Sequence, residues 1–242
     1  MTYAFGDTDL ARERLGLVAD TFEAPTRTLL RDLPAGVYRY VIDMGCGPGF
    51  TTALLREAIP HSFLTGIDSS PAMIAEARER VPDAHFAVAD VTAELSLPAH
   101  LIYARLLLGH LPDPRSALAR WARALRAGGL VVCEEPVRYR CDDPLFARYE
   151  EVVTAVVAAR GATLWAGPAL DDDPPMCARR MVDRVVEHPV PAARAAAMFW
   201  RNAATWGGER DLVDALREIE RSNRADVVMW ELRQTVWMKT GE

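Results

Sequence analysis

Apolar residues recur along this chain in two alternating rhythms. Between residues 10 and 33, Leu10, Leu15, Val18, Phe22, Leu29 and Leu30 fall at roughly helical intervals, which predicts one or two helices ahead of the first strand. Short apolar runs then take over at 39–44 (RYVIDM), 63–67 (FLTGI), 85–89 (HFAVA), 101–104 (LIYA) and 129–135 (GLVVCEE). Helical stretches at 51–58, 71–81 and 115–126 separate them. Strands alternating with helices of this length predict an α/β architecture, a doubly wound and mostly parallel sheet with helices on both faces. Ser70 before Pro71 has the form of an N-cap followed by proline at the first helical position. Ala117, Leu118, Trp121, Ala122 and Leu125 make an apolar stripe expected to stop at Gly128-Gly129.

Beyond Glu135 the rhythm changes. DPLFARYEEVVTAVVAAR reads as a long helix, GPALDDDPP as a loop and VDRVVEHPV as a strand. PAARAAAMFWRNAATW and GERDLVDALREIERS read as helices, and VVMWELRQTVWMK, rich in β-branched and aromatic residues, as a terminal strand. With these two later strands the sheet has seven. The expected organisation is an N-terminal helical segment (1–38), an α/β core (39–190), a helical lid inserted before the last strand (191–223) and the strand that completes the sheet (224–242).

Composition narrows the options. With 242 residues, 50% of them hydrophobic and 26% charged, the chain can bury a core as one globular domain. A net charge of −6 argues against a protein whose task is to hold a nucleic-acid backbone, because such binding rests on clustered Lys and Arg. The opening residues lack the basic start and apolar stretch of a signal peptide, and no apolar run reaches the roughly 18 residues of a membrane span. A soluble, cytoplasmic monomer or homodimer is therefore expected, with no membrane partner. Cys46, Cys133, Cys141 and Cys177 are too few and too scattered for a disulfide framework or a zinc site, so reduced thiols and no metal are expected. Asp171-Asp172-Asp173 reads as a solvated loop, since adjacent carboxylates do not converge on one ion without a tight turn.

The candidate chemistry begins at VIDMGCGPGF. A strand ending in Asp43 runs into Gly45, Gly47 and Gly49 and then a helix, which lets a ligand approach bare backbone at a helix N-terminus. The dinucleotide fingerprint would need its third glycine at position 50, which is phenylalanine, and a phosphate loop would need a lysine that is missing. The second strand ends at Asp68, where a carboxylate can accept both hydroxyls of a ribose, and the third at Asp90-Val91, placing another carboxylate where it suits the amine of an adenine. Three strand-end acids beside this loop fit an adenosine without phosphates.

VIDMGCGPG, GIDSSPAMIAEAR, FAVADV, HLPDP and RAGGLVVCEE together resemble the class I S-adenosylmethionine-dependent methyltransferases. The early tyrosine, the Arg14-Leu15 pair and the insertion before the last strand further resemble small-molecule methyltransferases of bacterial natural-product pathways, including the trans-aconitate-like group. The resemblance implies a Rossmann-like fold, S-adenosylmethionine (SAM) as cofactor, S-adenosylhomocysteine (SAH) as product and a small molecule as methyl acceptor. It assigns Asp43, Gly45, Cys46, Gly47 and Gly49 to the methionine part of the cofactor. Asp68 and Ser69 fall to the ribose, Met73, Asp90 and Val91 to the adenine, and Arg105 to the cofactor's amino end.

His110, in LLLGHLPDP after strand four, is a candidate general base, and equally a helix cap or pocket lining. Glu134 and Glu135 end strand five; one is expected to orient substrate, with Glu135 the candidate, and the other to pair with an arginine. Phe199, Trp200, Asn202 and Trp206 on the insertion are candidate pocket walls, or else the core of the lid, in which case the pocket is expected around Tyr139, Phe146 and Tyr149. Tyr3 is expected either to close over the cofactor or to belong to a disordered end. Two other chemistries remain open: cyclisation of SAM's aminocarboxypropyl arm with release of methylthioadenosine, and SAM binding without catalysis.

Overall fold

The structure is a computed structural model that describes residues 8–60, 62–95, 98–170, 178–222 and 224–241. Its strands are β1 (Tyr40–Met44), β2 (Phe63–Asp68), β3 (His85–Val88), β4 (Ala99–Arg105), β5 (Leu125–Arg140), β6 (Ala178–Pro191) and β7 (Val227–Lys239). Its α-helices are α1 (Asp9–Arg31), α2 (Phe50–Ala58), α3 (Pro71–Arg80), α4 (Pro114–Ala124), α5 (Pro144–Ala158), α6 (Ala192–Thr205) and α7 (Arg210–Arg221). The strands form one sheet in the order β3-β2-β1-β4-β5-β7-β6. The first five run parallel, and β7 lies antiparallel between β5 and β6. The strand order reverses between β1 and β4. In an open α/β sheet the crevice beyond the carboxyl ends of those two strands is where ligands collect.

Alternation along the central strands sorts the core into two layers. Leu101 and Tyr103 of β4 and Leu130 and Val132 of β5 pack with Leu29, Leu54 and Leu55 of α1 and α2 on one face. Ile102, Ala104, Val131 and Cys133, one residue out of step, pack with Leu118 and Trp121 of α4 on the other. Both faces of a parallel sheet must be covered, and a two-residue period in strands with no polar face is how the sequence expresses it.

Two local features depart from simple expectation. α4 ends at Ala124 and not at Gly128-Gly129, because Leu125 adopts extended backbone and already pairs with Ala99 as the first residue of β5. The extra residues before Leu130, including Gly128 at φ 75°, form an irregularity in β5. α1 is a single helix despite Pro25 in its interior. Proline has no N–H for the carbonyl four residues back, and here the Thr21 carbonyl accepts from His188 Nε2 of β6 at 2.7 Å.

The same stretch of α1 is tied to the sheet by Glu134, which is 1% exposed. Its Oε1 accepts from Thr26 Oγ1 (2.8 Å) and the Tyr103 hydroxyl (2.6 Å), and its Oε2 from Gln234 Nε2 (2.7 Å). Gln234 also donates to the Pro25 carbonyl at 3.0 Å. Beyond the sheet, α6 is buried nearly all round, and α7, which buries only the stripe of Leu212, Val213, Leu216 and Ile219, covers it. Among the described residues no helix is long and apolar enough to cross a membrane.

Glu134→Ala leaves the buried Tyr103 hydroxyl and Gln234 amide without their acceptor, at about 1–3 kcal/mol each. The urea midpoint is expected to fall by the equivalent of about 2–6 kcal/mol, and a wild-type midpoint would show that α1 is held by apolar packing alone.

Candidate active site

A cavity of about 290 Å³ opens at the carboxyl ends of the parallel strands. α1 contributes Arg14, Leu15, Val18 and Phe22 to its wall, and α6 contributes Met198, Phe199 and Asn202. In between, the strand ends supply the polar groups.

The glycines of the first loop divide their work. Gly47, at φ 52°, lines the cavity, and a Cβ there would meet nothing within 4 Å. This is open space against bare backbone. Gly49, at φ 86°, caps α2, and a Cβ there would lie 3.0 Å from Ala77 Cα in α3. It is required by helix packing and, unlike Gly45 and Gly47, does not line the cavity. Asp43 is likewise removed from the cavity: it is 1% exposed, and its Oδ2 accepts from Thr51 and Thr52 Oγ1, both at 2.7 Å. Burial pushes its pKa up to about 6, against the lowering effect of those two hydroxyls. Asp43 therefore anchors the start of α2 under the loop.

Gly45, Cys46, Ser69, Met73, Asp68, Asp90, Val91 and Arg105 all line the cavity. Asp68 joins two loops, its Oδ2 accepting from Gly47 N and its Oδ1 from Ser70 N, both at 2.9 Å. Asp90 Oδ1 accepts from Thr92 N (2.8 Å) and Thr92 Oγ1 (2.7 Å), which hold its carboxyl below the usual range. Trp121 Nε1 donates to the Val91 carbonyl at 2.9 Å and so pins the adjacent backbone. Arg105 donates to Thr26 Oγ1 at 3.0 Å, which links it to the Glu134 network. Burial pushes the Cys46 thiol up, so it is no thiolate nucleophile.

Past β4 the backbone turns sharply at Leu106, whose φ of 54° is unusual for a side chain of this size. Such strain persists only where the surroundings hold it. Here Glu135 Oε1 accepts from Leu107 N and Leu108 N, both at 2.8 Å, and Leu106 N donates to the Glu134 carbonyl at 2.9 Å. Glu135 lines the cavity, whereas Glu134 belongs to the buried network and pairs with α1 instead of with substrate. Burial raises Glu135 to about 8, opposed by the two backbone donors. His110 also lines the cavity, and burial together with the Arg14 charge lowers it to about 4, so its imidazole is neutral at physiological pH.

On the helical insertion, Phe199 and Asn202 reach the cavity but Trp200 and Trp206 do not. The Trp200 ring lies between the guanidiniums of Arg201 (4.2 Å) and Arg217 (4.4 Å), and its Nε1 donates to Glu220 Oε2 at 2.6 Å. Trp206 is the C-cap of α6 and packs against the neighbouring core. A helical period identifies an apolar stripe but not which of two packed neighbours it meets. Tyr139 and Tyr149 line the cavity, while Phe146, fully buried, stands behind them. Trp165 and Trp230, singled out by no local motif, complete the aromatic wall. Trp230 reaches it because β7 pairs antiparallel with β5 and sets Trp230 opposite Tyr139. Tyr3, Asp171-Asp172-Asp173 and Cys177 lie outside the described residues.

The sheet order and the acids around a bare glycine loop at the switch point define an α/β fold built to take an adenosine-bearing ligand. A family model described as a methyltransferase domain matches residues 41–129. The trans-aconitate 2-methyltransferase of Paracidovorax citrulli is 32% identical over 82% of this chain and 79% of its own length. That of Methylobacterium nodulans is 40% identical over 49% of this chain, a match that spans 46% of the relative. Among solved structures, a Bacillus halodurans C-125 protein described as a candidate methyltransferase superposes with a TM-score of 0.65 at 14% identity, over 90% of this chain and all of that one. The chain belongs to the class I S-adenosylmethionine-dependent methyltransferases.

The residues present fit that cofactor. Gly47 leaves room where any side chain would intrude, Asp68 and Asp90 present carboxylates at the ends of β2 and β3, and Met73 and Val91 offer apolar surface beside them.

The two glycines are expected to fail differently. Alanine at either position takes on left-handed backbone at about 1–2 kcal/mol. Gly47→Ala should also weaken SAM binding by about tenfold or more, because its methyl enters the open space. Gly49→Ala should lose more stability while its SAM affinity stays near wild type. Calorimetry showing equal losses of affinity would overturn this division.

Glu135 carries a pH signature. Its carboxyl ionises near 8 in the folded chain and near 4.5 ordinarily, so between those values the folded state holds the extra proton. The resulting stabilisation is complete below 4.5 and lost as pH rises through 8. Glu135→Gln keeps an acceptor for Leu107 and Leu108 but has no proton to lose. Its melting temperature is expected to gain on wild type between pH 6 and pH 9; parallel curves would contradict the assignment.

Proposed function

We propose that this chain transfers the methyl group of SAM to a nucleophile on a small organic molecule, releasing SAH. The observation that carries the proposal is one continuous cavity across the sheet. Its β2 and β3 end carries Asp68 and Asp90, its middle carries Arg105, His110 and Glu135, and its far end is walled by aromatic rings from β5, β7, α5 and α6. An acidic, glycine-lined half beside an aromatic half supports a cofactor and an acceptor held side by side.

SAM, when bound, supplies an already activated sulfonium methyl. What remains for the chain is to align the acceptor and exclude water. Leu106 and Leu107, in the turn that Glu135 braces, form the rim between the two halves and set that alignment. Glu135 lines the same cavity and holds its proton in the folded chain; a positive charge bound there would favour its ionised form, the proton passing to solvent. His110, neutral and weakly basic, serves as wall and alignment group in preference to general base. The insertion at 191–223 acts here as the wall that selects the acceptor. Trans-aconitate 2-methyltransferase relatives support a small-molecule acceptor, and a biosynthetic, natural-product setting is the one we assign with it.

Mass spectrometry of turnover products tests the proposal: SAH is expected, methylthioadenosine would mark attack within the cofactor's own side chain, and neither would mark a binding protein. Asp68→Ala is expected to weaken SAM by about 2–4 kcal/mol, the scale of a pair of charge-assisted hydrogen bonds. Unchanged affinity in a folded Asp68→Ala protein would remove this residue from the site.

A further inference from the structure

The far half of the cavity carries information about the acceptor itself. Tyr149 and Phe199 stack at 4.1 Å between ring centroids with an 11° interplanar angle. Tyr139 lies 5.3 Å from both Phe199 and Trp230, and Trp165 lies 6.0 Å from Trp230. The result is a set of flat walls.

Most polar atoms of these rings are already committed. The Tyr139 hydroxyl donates to the Phe146 carbonyl (2.7 Å), Trp165 Nε1 to Glu150 Oε1 (3.0 Å), and the Tyr149 hydroxyl accepts from Asn202 Nδ2 (2.9 Å). Two are not. Trp230 Nε1 and Asn202 Oδ1 are buried with no hydrogen-bond partner, on side chains 8% and 7% exposed that both line the cavity. Buried polar groups without partners are few in folded proteins and costly. One donor and one acceptor left open in the same aromatic chamber mark where a ligand completes the bonding.

The charges of the wall point the same way. Arg14, Arg105 and Arg160 line the cavity, as do Asp68, Asp90 and Glu135. Arg105 is engaged by Thr26, and Arg160 donates to the Val156 carbonyl at 3.3 Å. A polyanion would need several cations directed at it, and two of the three arginines already donate to partners of their own.

Resting on the reading that the other half holds the cofactor, we propose that this chamber accepts a flat, uncharged aromatic molecule with one hydrogen-bond donor and one acceptor, read by Asn202 Oδ1 and Trp230 Nε1. Stacking against the walls supplies affinity and the polar pair sets orientation. The chain would then differ in substrate class from the trans-aconitate enzymes it is similar to.

Calorimetric titration in saturating SAH decides it, with 4-hydroxyquinoline and 2-hydroxyquinoline as flat neutral probes and trans-aconitate as the anionic one. At least one quinoline is expected to bind about tenfold or more tightly than trans-aconitate. Asn202→Leu keeps the side-chain volume and Trp230→Phe keeps a ring, and each should weaken that quinoline by about fivefold or more while SAH affinity stays within about twofold. Tighter binding of trans-aconitate, no binding of either quinoline to a wild-type protein that binds SAH, or wild-type quinoline affinity in both variants would each overturn the proposal. A wild-type protein that fails to bind SAH would overturn the methyltransferase reading beneath it, and the chamber with it.

Discussion

A carboxylate shut away from water has to find its hydrogen bonds inside the protein, and Glu134 finds them on three different elements. Thr26 of α1, Tyr103 of β4 and Gln234 of β7 all donate to it. Because these donors are far apart in the chain, satisfying one group fixes the position of a helix across the end of the sheet. Thr26 also receives Arg105, so the buried network reaches the cavity through one side chain. The cavity's roof follows from this arrangement. Arg14, Leu15, Val18 and Phe22 stand over the strand ends because Thr26, further along the same helix, is fastened below them.

The remaining acids repeat the principle on a smaller scale. Asp43 holds the start of α2 through two threonines, Asp68 joins the loops after β1 and β2, and Glu135 holds the turn after β4. Each collects donors where the backbone must depart from regular structure. The loops at the switch point are thus shaped before any ligand arrives, and a preorganised pocket loses less on binding than one that must be ordered by its ligand. Glu135 combines both tasks, since it braces the Leu106 turn and still borders the cavity.

The two halves of the cavity obey different physics. Near β2 and β3 the surface is carboxylate and bare backbone, suited to hydroxyls, amines and positive charge. Near β5 and β7 it is ring faces, suited to flat apolar surface, with polar atoms few and mostly satisfied. Such a division lets one fold keep its cofactor while the helices between β6 and β7 and the antiparallel pairing of β5 with β7 alter what is methylated.

Much of this was legible in the amino-acid sequence, because local physics expresses it directly. Strand and helix periods, the Ser70-Pro71 cap and the run of glycines depend on near neighbours, and the sheet emerges where those periods place it. The strand-end acids at 68 and 90 and the open glycine at 47 are visible for the same reason: a residue at the end of a parallel strand lies at the ligand-bearing edge whatever else the chain does. Local pattern also sets limits. It could not separate Gly49, needed by Ala77, from Gly47, which faces open space, nor show that Asp43 pairs with Thr51 and Thr52. Trp200 and Phe199 are adjacent on one helix, yet one is clamped by Arg201 and Arg217 and the other stacks on Tyr149. Trp230 enters the wall through an antiparallel register that sets it opposite Tyr139, and the Thr21 carbonyl, for which Pro25 has no N–H, is taken up by His188 of β6. Sequence by itself determined the strands and helices, their parallel α/β organisation and the acids at the strand ends, since these follow from periodicity, while the strand order and its switch point came from tertiary pairing. Tertiary structure alone decided which aromatic rings face the cavity and how the acids are partnered, because those contacts form only in the folded chain, whether the partner is 8 residues away, as for Asp43, or 100, as for Glu134.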